Sequence, residues 1–126
     1  MKTIISTNNA PKAIGPYSQA IDTGNTIYMS GQLPVDPKTN ELVENDIVVQ
    51  TTQSLENIKA ILAEVGLTTD NIVKTTVFLA DINEFGKMNE VYAKYFSEGN
   101  YPARSAIQVA NLPKGARVEI ECIVVR

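Results

Sequence analysis

The chain has 126 residues, of which 44% are hydrophobic and 20% charged, and a net charge of −3 at pH 7, the composition of one globular domain. It has no histidine and a single cysteine, Cys122, which excludes Ser-His or Cys-His nucleophilic pairs, Cys/His zinc sites and disulfides within the chain. The acidic balance argues against nucleic acid as a partner, and the absence of a long apolar run predicts a cytoplasmic protein without a membrane span.

The first part of the chain has the pattern of short strands. One strand is predicted over residues 3–6. Two more, over residues 18–23 and 26–30, flank Gly24-Asn25, a pair that is typical of a tight hairpin turn. An antiparallel hairpin is therefore expected near the N-terminus.

A long amphipathic helix follows. Between Val48 and Val65, apolar residues recur every three or four positions, which predicts one buried helical face. Asn45 is the predicted N-cap. Gly66 suits the left-handed position just past the helix end, and Leu67 is expected to fold back onto the last turn.

The next segment, residues 72–79, is β-branched and aromatic and predicts a central strand that is partly buried on both faces. Its alternation places Val73, Val77 and Leu79 on one side and Ile72 and Phe78 on the other.

A second helix is predicted after this strand. Asp81-Ile82-Asn83-Glu84 has the form of a capping box. An apolar stripe then runs towards Gly99, before which the helix should end, and it consists of Phe85, Met88, Tyr92 and Phe96.

Two final strands are predicted over residues 104–110 and 117–125. If they pair as a hairpin around the loop at 112–115, Glu119 lies opposite Gln108. Arg104 would then lie about 13 Å from Glu119 along one sheet. On this register the two groups would meet around a small ligand more easily from neighbouring subunits than from one chain.

The predicted fold class is α+β, a single domain with a mixed sheet of five or six strands and two helices on one face. Two helices cover only one face of such a sheet. The other face carries apolar side chains and needs a cover, so we expect a homo-oligomer in which sheets pack on each other. The apolar side chains assigned to that face are Ile72, Phe78, Ile123 and Val125.

Taken singly, the polar candidates for a site also fit structural roles. An arginine at a strand start, such as Arg104, is usually a surface ion pair, and Glu119 and Glu121 are solvated carboxylates by default. Tyr17 could staple a loop to the core. Asn89 is less easily explained, because it lies at the edge of the second helix's apolar stripe, where an amide needs a partner.

Three motifs, taken together and in their order along the chain, are typical of one known family. They are Gly15-Pro16-Tyr17-Ser18-Gln19-Ala20, then Tyr28-Met29-Ser30-Gly31-Gln32, and then Pro102-Ala103-Arg104-Ser105 with Val109, Leu112-Pro113 and Val118-Glu119-Ile120-Glu121. Over essentially its whole length the chain resembles the Rid/YjgF family, the reactive-intermediate imine deaminases, also called L-PSP endoribonucleases.

The resemblance implies a cytosolic homotrimer with a chorismate-mutase-like fold and with clefts between its subunits. It also implies an activity that needs no metal or cofactor. Such proteins hydrolyse 2-imino and 2-enamino acids, such as 2-aminoacrylate and 2-iminobutanoate, to 2-keto acids and ammonia.

Carried over position by position, the resemblance makes Arg104 the clamp for the substrate carboxylate and Glu119 the group that positions or activates water. The backbone N–H of Ala106 would hold the imine or keto end of the ligand, at a position where many members have cysteine. The remaining residues lining the cleft would be Tyr17, Ser30, Gly31 and Asn89.

Two other functions remain open at this stage. A regulatory protein that binds 2-keto acids without turnover would use the same Arg104. Ribonuclease activity has been attributed to the family, but a net charge of −3 and the lack of a general-acid histidine argue against it here.

Overall fold

The computed structural model describes residues 2–126. The helices are α1 (Ile47–Glu64) and α2 (Phe85–Ala93), and short 3₁₀ turns lie at Thr69–Asn71, Ile82–Glu84 and Pro113–Gly115. The strands are β1 (Thr3–Ile5), β2 (Ala20–Asp22), β3 (Thr26–Gln32), β4 (Val35–Asp36), β5 (Glu41–Leu42), β6 (Ile72–Leu79), β7 (Ala103–Gln108) and β8 (Val118–Val125).

Six strands form one mixed sheet in the order β1-β2-β3-β8-β6-β7, and β4 and β5 form a separate hairpin. All neighbours in the large sheet are antiparallel except β6 and β7, which are parallel. A parallel pair needs a crossover connection, and α2 provides it. The predicted α+β class, mixed sheet and two helices are confirmed.

Both helices pack on one face of the sheet, where the core lies. Its most buried side chains come from α1, α2, β3, β6 and β8, and none of them is more than 2% exposed: Ile27, Leu55, Ile58, Ile61, Leu62, Val77, Leu79, Met88, Val118, Ile120 and Val124. Cys122 is also a core residue, and burial raises the pKa of its thiol to about 12. Within residues 2–126, no helix combines the length and hydropathy needed to cross a bilayer.

The opposite face of the sheet carries apolar side chains that no part of the described chain covers. Ile4, Ile21, Tyr28 and Ile123 are register partners across four strands and form a continuous row. Ile4 is 62% exposed and Tyr28 52%. The predicted apolar character of this face is therefore confirmed, and the second layer that it lacks is the physical basis for expecting a further copy of the chain there.

The assignment of Ile72 to that face was wrong. The register of β6 with β8 shifts between Ile72 and Lys74, so that Val73 is the extra residue of a β-bulge. Ile72 consequently points into the core and is 4% exposed, whereas Val73 is 46% exposed.

The C-terminal end of α1 follows the prediction closely. Gly66 adopts a left-handed φ of 72°, and its N–H donates to the carbonyl of Ala63. The N–H of Leu67 donates to the carbonyl of Leu62. These two bonds form a Schellman motif, which satisfies carbonyls that the helix end leaves free.

The predicted N-cap of α1 was wrong, and the capping box predicted before α2 is only partly formed, because Asp81 caps the 3₁₀ turn Ile82–Glu84 by accepting from the N–H of Asn83. The N-cap of α1 is Asp46, whose carboxylate accepts from the N–H of Val49. Asn45 and Glu84 bind Arg117 instead: Nε donates to Asn45 Oδ1 at 2.8 Å, and a terminal nitrogen pairs with Glu84 Oε1 at 3.0 Å. Arg117 thereby fixes the chain just before β8.

The predicted hairpin of the last two strands was also wrong. β7 is an edge strand of the described sheet and pairs with β6, and β8 lies on the other side of β6. The connection passes the end of β6, where Val109 N–H donates to Leu79 O and Ala80 N–H donates to Arg117 O. Because α2 connects β6 to β7 as a crossover, β7 runs parallel to β6. β7 and β8 therefore lie on opposite sides of β6 and do not pair with each other.

Candidate functional site

Arg104 lies on β7 and points towards α2. One terminal nitrogen donates to Asn89 Oδ1 at 2.7 Å. The guanidinium carbon lies 4.7 Å from the ring centroid of Tyr92 and 5.2 Å from that of Phe85, within the range of cation–π attraction. The side-chain amide of Asn89, at the edge of the apolar stripe of α2, therefore has a hydrogen-bond partner.

Tyr92 is itself held in place. Its hydroxyl is 2.7 Å from the hydroxyl of Thr75 on β6, and both residues are buried. Burial raises the pKa of Tyr92, against the opposing effects of Thr75 and Arg104, so this ring stays neutral at physiological pH. The guanidinium thus rests on a fixed, uncharged aromatic surface.

Arg104 also lines a cavity of about 390 Å³, together with Asn89, Tyr92, Ala93, Tyr101 and Pro102. Within residues 2–126, no carboxylate lies within 4 Å of this arginine. A guanidinium has five N–H donors in a planar fork that matches a carboxylate. The arrangement can therefore bind a carboxylate ligand.

Ala106 lies two residues along the same edge strand. Because Val109 donates its N–H to Leu79 on β6, alternation along the strand directs the N–H groups of Arg104 and Ala106 away from β6, towards the free edge. The predicted backbone donor at Ala106 consequently lies on the same edge as the guanidinium. We refer to Phe85, Asn89, Tyr92, Arg104 and Ala106 as the Arg104 half-site.

Glu119 lies on β8, and its carboxylate lies beside Gly31, in an irregular part of β3. The register of β3 with β8 shifts between Met29 and Gln32, so Ser30 and Gly31 form a β-bulge. A Cβ added at Gly31 would lie 2.8 Å from the carboxyl carbon of Glu119. Only glycine leaves room for this carboxylate.

Ser30 and Tyr17 complete this second group. Ser30 Oγ donates to Ser18 O at 2.6 Å, and its N–H donates to Gln19 O at 2.9 Å. The Tyr17 hydroxyl accepts from the N–H of Ile14 at 3.3 Å, and its side chain is 53% exposed. Tyr17 and Ser30 line one cavity, and Tyr17 and Gly31 line another. We refer to Tyr17, Ser30, Gly31 and Glu119 as the Glu119 half-site.

Glu119 has the electrostatic character of a proton-transfer group. It is half-buried, and loss of hydration, followed by the like charge of Glu121, raises its pKa above the usual 4.5. A carboxylate with a raised pKa accepts a proton more readily than an exposed one, as a general base must.

The two half-sites point to opposite faces of the sheet. Arg104 pairs with Thr75 of β6, and Glu119 pairs with Phe78 of the same strand. Thr75 and Phe78 are three positions apart, and residues separated by an odd number of positions face opposite sides of a strand. The Cα atoms of Arg104 and Glu119 are offset by three residues along the strands and by two strand spacings across the sheet. This offset corresponds to a separation of about 14 Å. The structure thus groups the predicted residues into two sets and does not bring Arg104 and Glu119 together within one chain.

Sequence reasoning missed the roles of Tyr92, Phe85 and Thr75 beside Arg104. It assigned the two aromatic residues to the apolar stripe of α2. The available signal was their spacing, since residues 85, 89 and 92 lie on one helical face with Asn89 between the rings. Among residues 2–126, no three His, Cys, Asp or Glu side chains cluster as a metal site would require.

A family model described as Endoribonuclease L-PSP matches residues 7–126. A RutC family protein of Pyrococcus horikoshii is 57% identical over 98% of this chain and 97% of its own length. The 2-iminobutanoate/2-iminopropanoate deaminase of Escherichia coli K12 is 52% identical over 100% of this chain and 99% of its own.

Solved structures agree in fold along the chain. A Rid family protein of unknown function from Yersinia pestis superposes with a TM-score of 0.97 at 53% identity and covers 100% of both chains. The crystal structure of E. coli TdcF with bound serine superposes with a TM-score of 0.93 at 49% identity, covering 98% of this chain and 98% of that one.

Proposed function

The chain belongs to the Rid/YjgF family of Endoribonuclease L-PSP proteins, and on that premise we propose that it hydrolyses 2-imino and 2-enamino acids to 2-keto acids and ammonia. The substrates would include 2-aminoacrylate and 2-iminobutanoate, in the cytoplasm. The observation that carries the proposal is the pre-oriented guanidinium of Arg104 without a carboxylate partner in residues 2–126. The deaminase name of the E. coli relative supports it.

Arg104 would bind the substrate through its α-carboxylate. Asn89 and the Tyr92 ring hold the guanidinium, so little freedom is lost when a ligand binds. A two-pronged guanidinium–carboxylate pair fixes both the position and the plane of the substrate. The N–H of Ala106 at the strand edge would then hold the reacting end of the ligand by donating to the oxygen on C2, in the hydrated intermediate and in the keto product.

Glu119 would manage the proton of the attacking water. As the water oxygen bonds to C2, the imine π electrons move to nitrogen, and the carboxylate takes the proton that the water loses. Glu119 returns that proton to the amino nitrogen, and the C–N bond then breaks with its electron pair leaving on ammonia. The C2 carbonyl forms as the hydroxyl proton passes to the Glu119 carboxylate, which afterwards releases it to solvent. A protonated imine is strongly electrophilic, so orientation and proton transfer suffice without a histidine or a nucleophile.

The two half-sites would meet between subunits, with Arg104 from one chain and Glu119 from the next in a homotrimer. Two observations support this assembly. The half-sites lie on opposite faces of the sheet, and the face that carries Glu119 also carries the uncovered apolar row of Ile4, Ile21, Tyr28 and Ile123. Burying that row against a second sheet would complete the site and the apolar layer together.

Substitution of the two central residues tests the proposal. A dehydratase that releases 2-iminobutanoate is mixed with purified protein, and 2-oxobutyrate formation is measured above the spontaneous rate. Arg104→Ala should abolish the increase while the oligomer mass in light scattering is retained, and Glu119→Gln should lower kcat while 2-oxobutyrate still binds. Arg126→Ala, which removes an arginine paired with Asp22 at the chain end, serves as the control.

If Arg104→Ala hydrolysed imine as fast as the unmodified protein, the proposal would be contradicted. A protein that bound 2-oxobutyrate through Arg104 but added nothing to the spontaneous rate would instead be the 2-keto-acid-binding regulator. Bound serine in TdcF is consistent with either activity in this fold. RNA cleavage lost in Arg104→Ala would favour the endoribonuclease that the family description names.

A further inference from the structure

A second cavity adjoins the Glu119 half-site. It measures about 70 Å³ and lies between the N-terminal segment, the bulge of β3 and the loop before β8. Tyr17 and Gly31 line it and belong to the half-site as well. A ligand held beside Glu119 could therefore extend into this cavity.

The charged residues that line the cavity are positive. Among residues 2–126 they are Lys12 and Lys114, and the acidic group of Glu119 lies beside the lining residue Gly31 at the border of the cavity. Over residues 2–126, neither of these lysines has a carboxylate within 4 Å. Two ammonium groups without partners make an anion the complementary ligand.

Buried carboxamides hold the walls in place. Gln19 is 3% exposed, and its side chain accepts from Thr7 N at 2.7 Å and donates to Pro11 O at 2.7 Å, which fixes the segment that carries Lys12. Asn57 of α1 donates to Leu33 O at 3.1 Å and to Val35 O at 3.0 Å, which fixes the opposite wall. The cavity is therefore a formed part of the fold.

Backbone conformation sets the two outer corners of the cavity. In residues 2–126, Asn40 and Lys114 are the only non-glycine residues with positive φ, at 62° and 61°, and both line it. Side chains other than glycine adopt this conformation rarely, and it persists where the surroundings impose it. The loop before β8 thus presents Lys114 to the cavity from a constrained position.

We propose that this cavity is a subsite for a second carboxylate, so that the protein favours imino and keto acids with an acidic side chain of one or two methylenes. The inference rests on the proposed function. The substrate's α-carboxylate would bind Arg104 of the neighbouring chain, C2 would lie beside Glu119, and the distal carboxylate would lie between Lys12 and Lys114. A volume near 70 Å³ holds about two water-sized groups, which matches a carboxylate and its adjoining methylene.

Calorimetric titration with two product-like probes tests the subsite. 2-Oxoglutarate carries the distal carboxylate and 2-oxobutyrate lacks it, so at low salt the first should bind about fivefold more tightly or better. The advantage should shrink as sodium chloride rises, because exposed ion pairs are screened. This measurement on the unmodified protein requires no variant to fold.

A double variant tests whether Lys12 and Lys114 cause the tighter binding of 2-oxoglutarate. Lys12→Gln with Lys114→Asn should bring the two affinities to about the same value and leave 2-oxobutyrate binding unchanged. Asparagine is chosen at 114 because it tolerates positive φ. Lys38→Gln is the matched control, since Lys38 lies in the turn next to Asn40 without lining the cavity, and it should keep the fivefold difference.

Three results would overturn the subsite: equal affinities in the unmodified protein, a preference that survives in the double variant, or an equal loss in Lys38→Gln. If 2-oxobutyrate binds through Arg104 and imine is hydrolysed, these results remove the subsite alone. If neither keto acid binds and no imine is hydrolysed, the proposed function is wrong and the subsite with it.

Discussion

Gly31→Ala is the sharpest perturbation of the Glu119 half-site. The new Cβ would lie 2.8 Å from the Glu119 carboxyl carbon and closer still to Oε2. Ordinary van der Waals separation is about 3.5 Å, so the carboxyl carbon must retreat by about 0.7 Å and the nearer oxygen by more. Because only the end of a flexible side chain has to move, the backbone can remain in place.

The expected result is a loss of activity in a folded protein. A misplacement of about 1 Å in a catalytic group costs on the order of 100-fold in rate. Forcing Glu119 away from a favoured rotamer costs only about 0.5–1.5 kcal/mol of stability. Binding of 2-oxobutyrate should survive, because the proposed carboxylate clamp belongs to the Arg104 half-site.

The assay pairs imine hydrolysis with chemical unfolding of the same preparations. Gly86→Ala is the matched control, since an added Cβ there meets nothing within 4 Å and the residue lies inside α2. It should keep full activity and gain about 0.5–1 kcal/mol of stability, as alanine does over glycine in a helix. Full activity in Gly31→Ala would refute the reasoning, because the position of Glu119 would then not matter.

Three further predictions concern support of the site and of the fold. Tyr92→Leu should raise KM about 3- to 30-fold with a smaller effect on kcat, since it removes the ring under the guanidinium, whereas Tyr92→Phe should keep KM close to normal. Glu121→Gln removes a charge that raises the pKa of Glu119, so the acid limb of the kcat/KM profile should move to lower pH. Asn57→Ala removes the side-chain donor to the Val35 carbonyl and one of the two donors to the Leu33 carbonyl, and it should cost about 1–3 kcal/mol in denaturant unfolding. By contrast Thr51→Val, which removes a buried hydroxyl without a partner among residues 2–126, should be neutral or stabilising.

Local signals were sufficient for much of the fold. The run of β-branched residues located β6 at residues 72–79, and the glycine at 66 located the end of α1. Each of these depends on residues that are close in sequence. Bulges do not, so the outward turn of Val73 could not be predicted from alternation, which assumes an unbroken ladder.

Long-range pairing was beyond the sequence pattern. Two strands joined by a short loop suggest a hairpin, and nothing between 109 and 117 indicates that the loop passes the end of another strand. The same limit affected the site. Motifs identified Arg104 and Glu119, but their placement on opposite faces follows from the register of both with β6, which requires the assembled sheet.

The single sulfhydryl of the chain has a chemical consequence for a protein that would handle electrophilic imines and enamines. Cys122 is 3% exposed, its pKa is about 12, and its sulfur lies against that of Met29 at 3.7 Å. Thiolates are the form that reacts with electrophiles, and position 106 holds alanine. The folded protein should consequently resist alkylation by iodoacetamide, and label should appear, by mass spectrometry, only as the protein unfolds. The proposed substrates would then be unable to inactivate the folded protein by modifying its cysteine.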